Sequence, residues 1–192
     1  MMTAVRSNQP KKLHPHKFTL WVAMGSICMM FAALTSAYIV KRNQGIWEDV
    51  SFPKMFYYST VVIIISSITI HIALKAFKAR ERNRYKFFIT LTVFLGVLFA
   101  LLQWIGFKEL TNSGIKLLGA GSNAAASFLV VIIGLHTLHV LGGIIALIVA
   151  FFRAFSKKTI NYNTTSIEIV ATYWHFVDLL WIYLFIFLAW IK

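Results

Sequence analysis

Five runs of about twenty or more predominantly apolar residues, none containing a proline, leave this chain few ways to fold. They lie at approximately Phe18–Val40, Met55–Leu74, Tyr85–Phe107, Ala124–Phe152 and Ile169–Ile191, and Pro10, Pro15 and Pro53 all fall outside them. About 20 such residues in a helix, rising about 1.5 Å each, cross the roughly 30 Å hydrocarbon core of a bilayer. Lipid offers the backbone no hydrogen-bond partner, so unbroken runs of this length form helices. The reading is an all-α integral membrane protein with five transmembrane helices, in which residues 1–17 are a polar N-terminal segment and residues 18–192 a single membrane domain. The fourth run exceeds what a bilayer needs and is expected to tilt or project. The first is too long for the core of a signal peptide and lacks a small-residue cleavage site after it, so it is expected to be retained.

Charge confirms the class and predicts the orientation. With 59% hydrophobic and 13% charged residues, the chain is too apolar for a soluble domain of this length. A net charge of +13 would suggest nucleic acid in a soluble protein, but the 19 Lys and Arg residues sit between the apolar runs rather than on one stripe. Counted on alternate sides of the membrane they divide 13 to 6. The positive-inside rule then predicts a cytoplasmic N-terminus, cytoplasmic loops at Lys75–Lys86 and Arg153–Glu168, and a C-terminus outside. The Lys75–Lys86 loop is the densest basic cluster, a topology determinant that could also attract anionic lipid. Connections are short, so function must reside in the helices or on their outer faces. The single cysteine, Cys28, lies inside the first run, which excludes an intrachain disulfide, and it is expected to be a small core residue. Trp21, Trp47, Trp104 and Trp190 fall near the predicted interfaces, where amphipathic rings anchor helices.

An ionisable side chain in hydrocarbon costs at least about 2.5 kcal/mol, so each one needs a partner or a use. The fourth run carries His136 and His139; the fifth carries Trp174, His175 and Asp178, with Glu168 just before it. Steps of four, three and three place Glu168, Thr172, His175 and Asp178 on one helix face. His136, His139 and Gly143 share a face of the fourth helix, and Gly142, Gly143 and Ala146 would let a neighbour approach closely. Because helices joined by a short loop are usually antiparallel neighbours, the two stripes are expected to face each other. Three chemistries suit such a cluster: haem or metal ligation, with His175 as partner to His136 or His139; a proton relay through Glu168, His175 and Asp178; or hydrogen bonds across helices and to lipid that fix the bundle and a partner surface. His136 and His139 are only about 4.5 Å apart along the axis, so both are not expected on one iron. His71 is expected to be interfacial or satisfied locally.

The residues also resemble a known family. Gly134-Leu-His-Thr-Leu-His-Val-Leu-Gly142, then Phe151-Phe-Arg153, Glu168 and Tyr173-Trp-His-Phe-Val-Asp178-Leu-Leu-Trp181, are similar to the C-terminal part of cytochrome c oxidase subunit III, in matching order and spacing. The first helix is similar more loosely, through Met30-Phe-Ala-Ala and Ala37-Tyr. Five helices resemble the shorter bacterial form of the family. The resemblance implies a subunit of a haem-copper terminal oxidase in the bacterial inner membrane, part of a proton-translocating complex that reduces oxygen to water. It implies no redox centre in this chain, haems and copper in the partner subunits, docking on catalytic subunit I beside copper-binding subunit II, and bound phospholipid, and it leaves open whether the oxidase joins a larger respiratory supercomplex. His136, His139, Glu168, Trp174, His175 and Asp178 would then be a structural, lipid or partner seam between the fourth and fifth helices. One position departs: aligning Ser26–Ala32 places Ile27 where many family members carry a buried glutamate, so any role of that carboxylate does not carry over.

Overall fold

The structure, a computed structural model, describes residues 15–42, 54–112, 124–156 and 164–190. They form five helices: α1 (Pro15–Arg42), α2 (Met55–Lys78), α3 (Arg82–Asn112), α4 (Ala124–Phe155) and α5 (Thr164–Trp190). Each contains a stretch long and apolar enough to cross a membrane, and the chain is an all-α membrane protein. The helices outrun the apolar runs that predicted them. α1 starts at Pro15 because proline's fixed φ and missing N–H suit the first helical position. α2 and α3 extend to Lys78 and back to Arg82, since a backbone already hydrogen-bonded in register continues through polar residues once it meets water. Of the polar N-terminal segment, residues 1–14 lie outside the described residues, as does Ile191 at the end of the fifth run.

Between α2 and α3 the chain reverses in three residues. Arg80 N–H bonds the Phe77 carbonyl at 3.1 Å and Glu81 N–H bonds that of Ala76 at 3.0 Å, with Arg80 at φ 59°. This is a Schellman closure, in which a left-handed residue lets the chain satisfy the last carbonyls of the helix it leaves.

α2, α3, α4 and α5 pack as a closed ring, each touching the next and α5 returning to α2. α1 lies outside the ring, against α4 and α5 and not against α2 or α3. Inside the ring the core is built from Phe56, Ile63, Phe99, Leu147, Trp174 and Trp181, none more than 1% exposed. A smaller cluster of Phe31, Tyr38, Ile132, Leu180 and Leu184 fastens α1. The outer faces stay apolar: Phe94 is 64% exposed and Leu138 64%, as expected where the solvent is lipid. Trp21, Trp104 and Trp190 are also exposed, while Trp47 lies outside the described residues. Cys28 corrects the expectation of a core residue, because α1 has one side free and Cys28 falls on it, exposed.

Candidate functional site

α5 packs against three other helices, α1, α2 and α4, and its polar residues show how. Trp174 is fully buried, and its indole N–H donates to Ser66 Oγ of α2 at 3.1 Å. The ring fits because two helices present glycine to it. A Cβ placed on Gly96 of α3 or on Gly143 of α4 would lie 2.9 Å from Trp174 ring carbons. Two turns on, the Trp181 indole N–H donates to Thr60 Oγ1 at 3.0 Å, again on α2. Between them, His175 Nδ1 and Ser67 Oγ are 2.6 Å apart. Three consecutive contacts therefore seam α5 to α2 through hydroxyls.

The same chemistry joins α2 to α3. Thr69 and Thr92 hydroxyls meet at 2.9 Å and Gln103 donates to Ser59 Oγ at 3.0 Å, both pairs buried. α2 thus carries two groups of hydroxyls, Ser59 and Thr60, then Ser66, Ser67 and Thr69, facing one neighbour or the other. Short hydroxyls also bond their own helix's carbonyls, as Ser59 does to Phe56 at 2.9 Å, so each can sit in an apolar interior without an orphaned donor.

At the end where α1, α3 and α5 begin, Glu168 joins three helices. Lys17 of α1 reaches its Oε2 at 2.6 Å and Lys78 of α2 its Oε1 at 2.8 Å. Close by, the Lys86 ammonium sits 4.8 Å from the Phe155 ring centroid, tying α3 to α4.

The six residues singled out in the sequence therefore do not form one seam between α4 and α5. Three of them touch that seam. Trp174 packs on Gly143, the Tyr173 hydroxyl donates to the His139 carbonyl at 3.2 Å, and His136 stacks on Trp181 with ring centroids 5.2 Å apart. Glu168 and His175 turn instead to α1 and α2. The reason is angular: α5 has neighbours on three sides, so a stripe at helical spacing spreads over more than one of them. Asp178 is 3% exposed and lies near the Ser67 hydroxyl, which is turned to His175, and neither of its carboxyl oxygens has a well-formed hydrogen bond among the described residues. His136 is likewise enclosed, between Trp181 and Phe99, with both ring nitrogens unbonded. The His139 imidazole closes on its own helix, Nδ1 lying 2.7 Å from the Leu135 carbonyl, and its ring meets Phe31 of α1 edge-on.

As a ligand set these side chains are scattered. His175 opens toward α2, His136 into the aromatic centre of the ring and His139 toward α1, so no two of them flank a common haem-sized space. Among the described residues no three His, Cys, Asp or Glu side chains converge as metal ligands. The hydroxyl ladder of α2 escaped the sequence reading, since Ser and Thr in an apolar run read as ordinary helix filling; their recurrence at Ser59, Thr60, Ser66, Ser67 and Thr69 was the available signal.

The sequence is similar to those of known proteins. The profile of the family described as Cytochrome c oxidase subunit III matches residues 43–192. Cytochrome c oxidase subunit 3 of Corynebacterium diphtheriae is 30% identical over 165 residues, covering 82% of this chain and 79% of that one. The cytochrome bo(3) ubiquinol oxidase subunit 3 of Buchnera aphidicola is 28% identical over 186 residues, 94% of this chain and 86% of the relative. Cytochrome c oxidase subunit 3 of Bacillus sp. strain PS3 is 27% identical over 170 residues, 86% and 80% of the two chains.

Proposed function

Since the chain belongs to the cytochrome c oxidase subunit III family, we propose that it works as the packing subunit of its oxidase, holding the catalytic subunit and bound phospholipid in place while carrying no redox centre of its own. It is subunit III of a haem-copper oxidase, fed by cytochrome c or quinol, and a multi-pass protein of the bacterial inner membrane. Its partners include the other oxidase subunits. In the finer reading these are catalytic subunit I and copper-binding subunit II, which hold the haems and copper. The complex reduces oxygen to water and moves protons, with the N-terminus of this chain in the cytoplasm.

One observation carries the reading: four of the polar side chains at membrane depth are spent on helix packing. Trp174, His175 and Trp181 bond to α2 hydroxyls, and His139 to its own backbone. A ligand set would instead leave imidazole nitrogens converging on one point. The basic loop after α2, with Arg80, Arg82 and Arg84, favours anionic headgroups at that end of the bundle.

The test is a reduced-minus-oxidised visible spectrum of the tagged chain in mild detergent, repeated after harsher detergent strips its partners. Haem bands that co-purify and then vanish, leaving a colourless 21.9 kDa chain, are the expected result. Bands that remain with the stripped chain would make it a haem protein and end the packing-subunit reading.

A further inference from the structure

α1 and α2 pack on different sides of α5 and do not touch each other, which leaves a groove along α5 between them. At the end where α5 begins, Glu168 closes it by holding Lys17 of α1 and Lys78 of α2. Seven residues on, and so about 10 Å deeper, lies half-buried His175, with the exposed His71 of α2 beside it, ring centroids 6.2 Å apart. One turn beyond His175 the groove continues over Leu179, 68% exposed.

The four imidazoles at membrane depth are not equally provided for. His136 is enclosed by aromatic rings, His139 closes on a backbone carbonyl and His175 has Ser67 at Nδ1. His71 is exposed, and no described residue bonds to it. An imidazole N–H that faces hydrocarbon without an acceptor is costly. A lipid fits poorly here, because the two ammoniums that would hold its headgroup are already on Glu168, and acyl chains carry no acceptor about 10 Å below. A neighbouring helix can supply one.

We propose that a transmembrane helix of a partner oxidase subunit docks in this groove and sets a carboxylate side chain opposite His71 and His175. Imidazole N–H groups and a carboxylate are complementary as hydrogen-bond donor and acceptor, and interhelical hydrogen bonds of this kind hold helices together where lipid removes the hydrophobic driving force. The outer face of α3, with Phe87, Phe94, Val97 and Leu101, is largely apolar, its Thr90 hydroxyl already bonded to the Lys86 carbonyl at 2.8 Å, and suits lipid tails. The proposal rests on the oxidase-subunit reading.

A benzophenone amino acid placed at Leu179 or at Ile64, both already exposed, tests it without removing core packing. Phe94 of α3 is the control position. After illumination of the purified oxidase complex, positions 179 and 64 are expected to give adducts with another oxidase subunit, mapped by mass spectrometry to a membrane-spanning peptide containing Asp or Glu, and position 94 is not. If the chain purifies without other subunits, the oxidase reading itself fails. With the complex intact, adducts to lipid only, to a second copy of this chain, or none at all would overturn the groove proposal. His71→Leu is expected to lower retention of the chain severalfold in harsher detergent and His71→Gln, which keeps a donor, to restore it; equal retention of the Leu variant would count against the contact.

Discussion

Trp174 occupies a slot made by two glycines on different helices, and that slot sets the strictest demand of any residue here. Gly96→Ala or Gly143→Ala would bring a methyl group to 2.9 Å from the indole ring. Overpacking of this kind costs about 1–3 kcal/mol, so both variants are expected to lower the thermal midpoint in detergent. Gly134→Ala meets nothing within 4 Å and is expected to leave the midpoint unchanged or raise it; equal effects at all three sites would refute the account. Asp178 makes the opposite case. A buried carboxyl without a partner forfeits its hydration, and a buried group left unsatisfied costs about 1–3 kcal/mol. Asp178→Leu is therefore expected to keep or raise the midpoint of the isolated chain, measured in the same assay. A sharp fall would mean that the carboxyl has a partner within the bundle. Trp174 and Asp178 were both visible as anomalies in an apolar run, but which was bonded was not, because that depends on the hydroxyls of α2, more than a hundred residues away in the chain.

At the scale of the element, α1 is the helix held by least. Its fastening is a small apolar cluster, the Thr35 to Tyr183 hydroxyl contact at 3.0 Å, and Lys17 on Glu168. Lys17 and Lys78 are 36% and 51% exposed, which limits what the node contributes to about 1 kcal/mol. Glu168→Gln is accordingly expected to speed modification of the Lys17 amine by a water-soluble acylating reagent by up to about fivefold. Exposed Lys54 is the reference, and an unchanged ratio would mean that the ion pair does not hold α1. The spans themselves could be read from the sequence because apolar length alone determines them. The direction of the α5 stripe could not. A short connection argued for α4 as its counterpart, and α4 is indeed adjacent. The polar positions nevertheless reach α1 and α2, because the ring closes α5 onto α2 and no local pattern records that closure.

For the whole molecule, the unequal distribution of charge remains the guide to orientation. The end of the bundle where α2 passes into α3 carries Lys75, Lys78, Arg80, Arg82 and Arg84. If that end faces the cytoplasm, alkaline phosphatase fused after Lys192 is expected to be active in a bacterial host, and the same enzyme fused within the loop between α2 and α3 inactive. The reverse pattern would invert every statement about sides while leaving the packing intact. Family membership was legible from the Gly134–Gly142 and Tyr173–Trp181 stretches, since both place histidine or carboxylate side chains inside apolar runs, where they are costly. The groove along α5 was less so, because it is a property of the space between α1 and α2 rather than of any run of residues.

The ring has a consequence for how the chain is made. α2, α3 and α4 leave the ribosome before α5, so the hydroxyls that will receive Trp174 and Trp181, and the two glycines that flank Trp174, wait as an open notch until the last of the five helices arrives. Insertion of α1 to α4 can therefore proceed helix by helix, whereas their locking is a single late event, and a nascent chain stalled before Thr164 would be inserted but unlatched, a ready substrate for membrane proteolysis.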